Sequence, residues 1–155
     1  MKKILSLIIL TFVLSIVANA QGLDAEIKNS GIRILTVMQQ CKEFPAKVTV
    51  KNTGTEKWTT SPRVFNLYPV ITKSPDNSTE RKGGFDVNSM TPITYISQDV
   101  DTSASYTFTY QFKAPKVVGT YTIEWKMAKS GVRFGTRAYE IVKVIENPHA
   151  DSDCR

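Results

Sequence analysis

Apolar and polar side chains alternate with a period of two along much of the chain after residue 20, and this pattern predicts β-strands. The segment SYTFTYQFKA, residues 105–114, places four aromatic side chains on one face and threonine, glutamine and lysine on the other. The segment GTYTIEWKMA, residues 119–128, repeats the alternation, with Tyr121 and Trp125 on its apolar face. Side chains that alternate in this way belong to strands with one buried face. Pro115, between the two segments, and Gly119, at the start of the second, separate them into two strands.

Shorter stretches with strand-like alternation and frequent turn residues occupy most of the remaining chain. Together with the two segments above, they predict an all-β fold, an immunoglobulin-like β-sandwich of about seven strands. The polar stretch 72–90 is predicted to be a long loop, because it is rich in glycine, proline, asparagine and serine. The shorter predicted strands are 27–38 with a kink at Gly31, 44–51, 58–71, 92–97, and a last strand over 131–146 with a bulge near Gly135.

The stretch NTGTEKW, residues 52–58, reads as a turn that leads into a large aromatic side chain. Its small and polar residues are typical of turns, and Gly54 is predicted to take a positive φ angle. Trp58 is placed to cross the gap between the two sheets, and Trp125 points inward on the penultimate strand. The alternative for either tryptophan is an exposed ring that serves as a ligand platform. We assign to the core Trp58, Tyr121, Trp125 and Phe134.

Three stretches carry a resemblance to a known family. VTVKNTGTEKW (48–58), KAPKVVGTYTIEWKM (113–127) and GVRFG (131–135) occur in this order along the chain. Over residues 25–146 the sequence resembles the four-tryptophan domain, the immunoglobulin-like module of neighbour-of-BRCA-type autophagy receptors that also occurs in bacterial extracytoplasmic proteins. It departs from that family in having two tryptophans and a longer insertion at 72–90. The resemblance implies a non-catalytic module that binds proteins or attaches to envelope machinery, with no fixed ligand.

The first twenty residues have the pattern of a secretory signal peptide. Two lysines near the start are followed by an apolar run and by Ala-Asn-Ala before Gln21. A membrane anchor is the alternative, but the apolar run is shorter than the roughly 20 residues that cross a bilayer. We therefore predict a signal peptide over 1–20, a sandwich domain over 21–146 and a short C-terminal tail over 147–155, in a secreted or periplasmic protein.

The charge of the chain is moderate and dispersed. Removal of the two lysines of the predicted signal peptide lowers the net charge from +6 to +4. Basic residues are scattered among acidic ones, without the runs of like charge that a nucleic-acid or membrane surface would show. We therefore predict no nucleic-acid partner and no stable membrane insertion.

The two cysteines lie at positions that an immunoglobulin-like sandwich brings together. Cys41 lies between the first two predicted strands, and Cys154 follows the last one. Both positions belong to the same pole of the sandwich, and an oxidising compartment favours a bridge. We predict an intramolecular disulfide that ties down an otherwise disordered tail. Free thiols or an intermolecular bridge are the alternatives.

The sequence has no motif that indicates catalysis, a metal or a cofactor. The single histidine, His149, stands in the C-terminal tail, where a catalytic triad or a zinc site would lack a rigid framework. Acidic residues in or beside the predicted strands are expected to be outward-facing and solvated, which does not suit a pair of glycosidase carboxylates. These residues are Asp99, Asp101, Glu124 and Glu140.

The leading functional hypothesis is an extracytoplasmic module that binds a protein partner. Candidate partner contacts are Phe85, the one aromatic residue of the polar loop, and Tyr95 in the following strand. Phe85 packed under its own loop is the alternative. A module that binds a glycan of the cell envelope would need several exposed flat rings, and alternation buries most of them. A structural subunit that pairs through an edge strand is the third hypothesis.

Overall fold

The computed structural model of the protein describes residues 22–75 and 94–154. Within these ranges the chain forms eight β-strands and one short helix, which confirms the predicted all-β class. The elements are β1 (Ala25–Arg33), β2 (Val37–Gln39), β3 (Glu43–Asn52), β4 (Phe65–Lys73), β5 (Thr94–Tyr95), β6 (Ser105–Lys113), β7 (Gly119–Lys129), β8 (Val132–Ile145) and α1 (Ala150–Asp153).

The strands form two sheets whose apolar faces enclose the core. One sheet has three strands in the order β1-β3-β6, and the other has five in the order β2-β8-β7-β4-β5. Paired strands run antiparallel, except that β2 pairs with β8 in parallel. Two packed sheets with inward apolar faces make a β-sandwich. The predicted immunoglobulin-like architecture is confirmed.

Aromatic rings from both sheets meet at the centre of the core. Strands β3 and β6 pair in unbroken register. Because side chains alternate along a strand, every second residue of β6 is buried against the five-stranded sheet. The ring centroids of Tyr110 and Phe112 each lie 5.6 Å from that of Trp125 on β7. All three side chains are buried. Aromatic pairs at such separations contribute about 0.5–1.5 kcal/mol beyond the apolar area they bury.

Trp58 belongs to a second aromatic group. Its ring centroid lies 6.1 Å from that of Phe65 and 6.0 Å from that of Phe134. Its main chain exchanges two hydrogen bonds with Val100, of 3.0 and 2.9 Å. The predicted continuous strand over 58–71 is therefore wrong at its start, because Trp58 forms an isolated bridge and β4 begins only at Phe65.

The turn after β3 is organised by the side chain of Asn52. Its Nδ2 donates to the carbonyl oxygens of Glu56 and Val100, at 2.9 and 3.2 Å, and its Oδ1 accepts from the N–H of Gly54 at 3.1 Å. Gly54 does not have a positive φ angle, so that prediction is wrong. Glycine is required there for space, because a Cβ atom would lie 2.5 Å from the carbonyl oxygen of Gly22.

The irregularities predicted near two glycines are present. The register of β7 with β8 shifts between Trp125 and Met127, and Gly135 of β8 has a φ angle of +75°. Residues other than glycine rarely adopt this conformation, which commonly marks a bulge. The register of β1 with β3 also shifts, between Ile27 and Ile32.

The C-terminal residues fold against the sandwich. Cys41 and Cys154 form a disulfide, with their Cα atoms 5.1 Å apart. Asn147 is buried and donates from Nδ2 to Oδ2 of Asp153 at 2.7 Å. The same carboxylate oxygen lies 2.8 Å from Nζ of Lys42. The described part of the tail is therefore held by polar contacts as well as by the bridge, rather than lacking structure as its composition suggested.

We expect the double substitution Cys41→Ser and Cys154→Ser to lower the free energy of unfolding by about 2–5 kcal/mol, because the bridge constrains a long loop in the unfolded chain. Urea unfolding followed by tryptophan fluorescence measures this change. Asp153→Asn serves as the control, since it weakens the contact with Lys42 and leaves the bridge in place. A double variant as stable as the wild type would contradict the stabilising role of the bridge.

Tyr110 makes the stability of the fold depend on pH in the alkaline range. Burial raises the pKa of Tyr110 above its usual 10.0, and its hydroxyl donates to the carbonyl oxygen of Leu67 at 3.2 Å. An unfolded tyrosine loses its proton near pH 10, whereas the folded one stays neutral. The stabilising contribution of Tyr110 is therefore complete below about pH 10 and is lost as the pH rises further.

The expected loss from this one group is about 1.4 kcal/mol of unfolding free energy per pH unit above about pH 10. Urea unfolding is measured for the wild type and for Tyr110→Phe across about pH 9 to 12. The difference between the two proteins separates the contribution of Tyr110 from that of the lysines that titrate in the same range. The phenylalanine variant should show a shallower decline. Equal slopes for the two proteins would mean that Tyr110 ionises in the folded state.

Candidate functional site

The outer face of the three-stranded sheet is polar and solvated. Thr49 and Thr107 share a hydrogen bond, with their Oγ1 atoms 2.9 Å apart. On the same sheet Lys47 lies opposite Thr109. Short hydroxyl side chains and flexible lysines are ordinary on a strand face that meets water.

The outer face of the five-stranded sheet has a different chemistry. Tyr139 of β8 lies opposite Glu124 of β7 and is 45% exposed, and Ile141, two residues further along, is 63% exposed. Tyr68 of β4 and Tyr95 of β5 are half-buried on the same face. This face therefore adds aromatic and aliphatic groups to the threonine and lysine side chains that the outer faces of both sheets present.

A row of paired residues crosses four strands of this face. Tyr95 pairs with Asn66, Asn66 with Ala128, and Ala128 with Arg133. Alanine is small and the residues at both ends of the row are large, so the surface of the sheet is depressed at Ala128. A groove of about 470 Å³ lies there. Its walls also include Arg63, Tyr68, Ser130 and Gly131.

Both tyrosine rings of the groove are covered on one face by a guanidinium group. Cζ of Arg63 lies 5.0 Å from the ring centroid of Tyr95, and Cζ of Arg133 lies 5.9 Å from that of Tyr68. A cation within about 6 Å of a ring centroid is attracted to the ring. The two arginines are thereby oriented over the rings.

A buried carboxylate orients Arg133 further. The side chain of Glu124 is 5% exposed and accepts hydrogen bonds from Nη2 of Arg133 and from the hydroxyl of Tyr139, the latter at 3.0 Å. Nη1 of Arg137 lies 3.7 Å from the same carboxylate. The hydrogen bond with Tyr139 and the charge of Glu124 raise the pKa of Arg137. The expectation that Glu124 is solvated is wrong: it lies on the outer face, but these three side chains cover it.

The other strand acids lie elsewhere. Asp99 accepts from the N–H of Thr60 at 2.9 Å and pairs with Lys57 at 3.4 Å. These contacts, with Thr60 the larger, hold the pKa of Asp99 below its usual value. Asp101 is exposed and lies 3.1 Å from the same lysine. Glu140 is half-buried on β8. Asp99 and Asp101 thus share one lysine, whereas Glu124 and Glu140 lie apart from them on β7 and β8.

Asn66 is the unusual residue of the groove. It is 5% exposed, and its Oδ1 is buried without a hydrogen-bond partner in the described part of the chain. An unsatisfied buried polar atom costs about 1–3 kcal/mol, and folded proteins contain few of them. Because Asn66 lines the groove, rotation of its amide would bring this oxygen within reach of a bound molecule.

The predicted site residues divide between the core and the groove. Tyr95, a predicted partner contact, lines the groove, whereas Phe85 lies outside the described residues. Phe134, assigned to the core, is partly buried and packs against it. The other assigned core residues are fully buried: Trp58, Tyr121 and Trp125.

Within residues 22–75 and 94–154, histidine, cysteine and acidic side chains do not gather in threes around a common point that could hold a metal ion. The N–H of His149 donates to Oδ1 of Asn147 at 3.0 Å, at the start of α1. The described helix is too short to span a bilayer.

Comparison with protein families matches residues 32–144 to the Ig-like domain from next to BRCA1 gene. This match covers most of the chain and includes the groove-forming strands β4, β5, β7 and nearly all of β8. Comparison with curated proteins gives no match.

Solved structures share the fold at low sequence identity. A solution structure of a CARDB domain from Pyrococcus furiosus has a TM-score of 0.52 at 14% identity, covering 82% of this chain and 99% of that chain. A crystal structure of the same domain in complex with di-metal ions has a TM-score of 0.49 at 14% identity, covering 81% and 90%. A β-glucosidase from Listeria innocua has a TM-score of 0.43 at 11% identity, covering 79% of this chain and 16% of that chain. The first likeness shows the fold alone, and the other two carry no argument.

We expect Glu124→Gln to lower the free energy of unfolding by about 1–3 kcal/mol, because hydrogen bonds to a charged group are lost from a buried position. Chemical denaturation measures the change. Glu43→Gln is the matched control, since Glu43 is an exposed strand glutamate, and it should leave stability within about 0.5 kcal/mol of the wild type. Equal stability of the Glu124 variant and the wild type would show that the carboxylate contributes no stability.

Proposed function

This chain belongs to the family of Ig-like domains from next to BRCA1 gene, and we propose that it is a non-catalytic extracytoplasmic module that binds a protein partner. The proposed contact surface is the outer face of the five-stranded sheet. The single observation that carries the proposal is the contrast between this face and the polar outer face of the other sheet.

The composition of the proposed surface suits protein recognition. Tyrosine and arginine are enriched among the residues that dominate binding energy at protein interfaces. Tyr68 and Tyr95 are half-buried beneath arginines, and Tyr139 donates a hydrogen bond to Glu124. Side chains that are already held in place lose little conformational freedom on binding. Ile141 adds exposed apolar area beside them.

Several further features support an extracytoplasmic interaction role. The pattern of residues 1–20 is that of a signal peptide, and the bridge between Cys41 and Cys154 suits an oxidising compartment. We assign residues 21–146 to the sandwich domain and 147–155 to the bridged tail. Within the family, we class the chain as a four-tryptophan type that retains two of the tryptophans as core residues.

A glycan-binding role fits the geometry less well. Exposed, flat aromatic rings hold sugars, but Trp58 is buried, and guanidinium groups lie over Tyr68 and Tyr95. Tyr139 is exposed, whereas Trp58, Tyr68 and Tyr95 are buried or half-buried. These observations favour a protein partner over a polysaccharide.

The test is capture of a partner from envelope extract by immobilised residues 21–155, with a charge placed on each sheet face in turn. Ile141→Glu should lower capture at least about tenfold, because it puts a charge on the exposed apolar part of the proposed surface. Thr109→Glu on the opposite face is the matched control and should leave capture unchanged. Circular dichroism verifies that both variants fold.

Parallel treatments of the extract identify the partner's chemistry. Protease treatment should abolish capture, and periodate oxidation should leave it intact. Capture that is lost only after periodate would replace the protein partner by a glycan. Capture that Thr109→Glu removes and Ile141→Glu does not would place the contact on the other sheet.

A further inference from the structure

We infer that the groove between Tyr95 and Arg133 binds an acidic segment of an extended peptide. A side-chain carboxylate of the peptide pairs with Arg63, and a backbone amide of the peptide completes the hydrogen bonding of Asn66. This inference rests on the proposed protein-binding function and adds the chemistry of the bound segment.

Arg63 supplies the positive charge. It is exposed, and no carboxylate among residues 22–75 and 94–154 forms an ion pair with it. Its position over Tyr95, at 5.0 Å, orients the guanidinium without using its N–H groups. Those N–H groups lie in the guanidinium plane and match the two oxygens of a carboxylate.

The charge balance of the surrounding groove also favours an anion. Arg133 lines the opposite side, and Arg137 lies close by. Glu124 is the carboxylate that faces these two arginines, and one acid against two arginines leaves a positive charge. With Arg63 added, the groove is complementary to a negative group.

Asn66 supplies the second recognition element. Its buried amide lines the groove and has an unsatisfied oxygen. Rotation about its terminal torsion, which is broad for asparagine, exchanges the positions of the oxygen and the NH₂ group. The amide can therefore present an acceptor or a donor to the groove. A peptide backbone carries both complementary groups, so it can pair with Asn66 in either orientation, whereas a simple anion can only accept from the NH₂ group.

The shape of the groove fits an extended chain better than a sugar acid. The row from Tyr95 through Asn66 and Ala128 to Arg133 runs across four strands, with its low point at Ala128. A sugar ring would need a bare aromatic face, and the faces of Tyr95 and Tyr68 toward Arg63 and Arg133 are occupied. A peptide can pass along the arginine edges without displacing them.

The test is an NMR titration of isotope-labelled residues 21–155 with three probes. These are acetyl-Val-Glu-Val-amide, acetyl-Val-Gln-Val-amide and glucuronate. The glutamate peptide should shift the side-chain amide signals of Asn66 and the Nε signal of Arg63, and it should bind at least about tenfold more tightly than the glutamine peptide. Glucuronate should bind no better than the glutamine peptide.

Two variants with the same loss of charge locate the effect. Arg63→Gln should remove the preference for glutamate over glutamine, whereas Lys47→Gln on the opposite sheet should preserve it. Unchanged backbone signals away from the groove verify that both variants fold. Equal binding of the two peptides, absence of shifts at Asn66 and Arg63, or preferential binding of glucuronate would each overturn the inference.

Failure of the inference and failure of the proposed function give different results. If the glutamate peptide binds no more tightly than the glutamine peptide and partner capture is still lost with Ile141→Glu, the acidic-peptide site is refuted and the protein-binding face stands. If capture is insensitive to both Ile141→Glu and Arg63→Gln, the proposed face itself is refuted.

Discussion

The contact of Trp125 with the rings of Tyr110 and Phe112 determines where the other side chains of β7 point. Trp125 is fully buried, and its centroid lies 5.6 Å from each of the two rings on the opposite sheet. Because side chains alternate between the faces of a strand, a slip of one residue would bring Glu124 into the core and Trp125 to the surface. Burial of this ring therefore also defines the outer face of the sheet, where Glu124 and Ala128 lie.

The two features of that outer face follow from this register. Ala128 lies between Asn66 and Arg133, so a small side chain occupies the middle of the row and leaves the groove. Arg133 and Arg137 lie on either side of the irregularity at Gly135, and both reach Glu124. The same carboxylate thus holds together the two sides of a bulge and orients an arginine of the groove. Packing inside the sandwich and recognition chemistry outside it are two consequences of one strand alignment.

The period-two pattern was sufficient to predict most of the architecture, because the alternation within each strand shows which of its faces is buried. It located β6 and β7 within a residue or two, and the positions of the cysteines indicated the bridge. The groove was not predictable in this way, because it depends on which residues of four different strands lie side by side. The burial of Glu124 was not predicted. Counting outward from the Ser130–Gly131 turn places it opposite Arg137 in a regular β-hairpin, but the register shift in β7 and β8 places Tyr139 there instead. Alternation alone reports only that such a residue faces away from the core.

The bridge between Cys41 and Cys154 has a topological consequence for the intact molecule. It joins a residue just before β3 to one just after α1, so the strands from β3 to β8 all lie inside a single covalent ring. Cutting one peptide bond anywhere within a ring opens it without dividing it. A protein nicked once by a protease between these cysteines would therefore keep both of its sheets on one connected molecule.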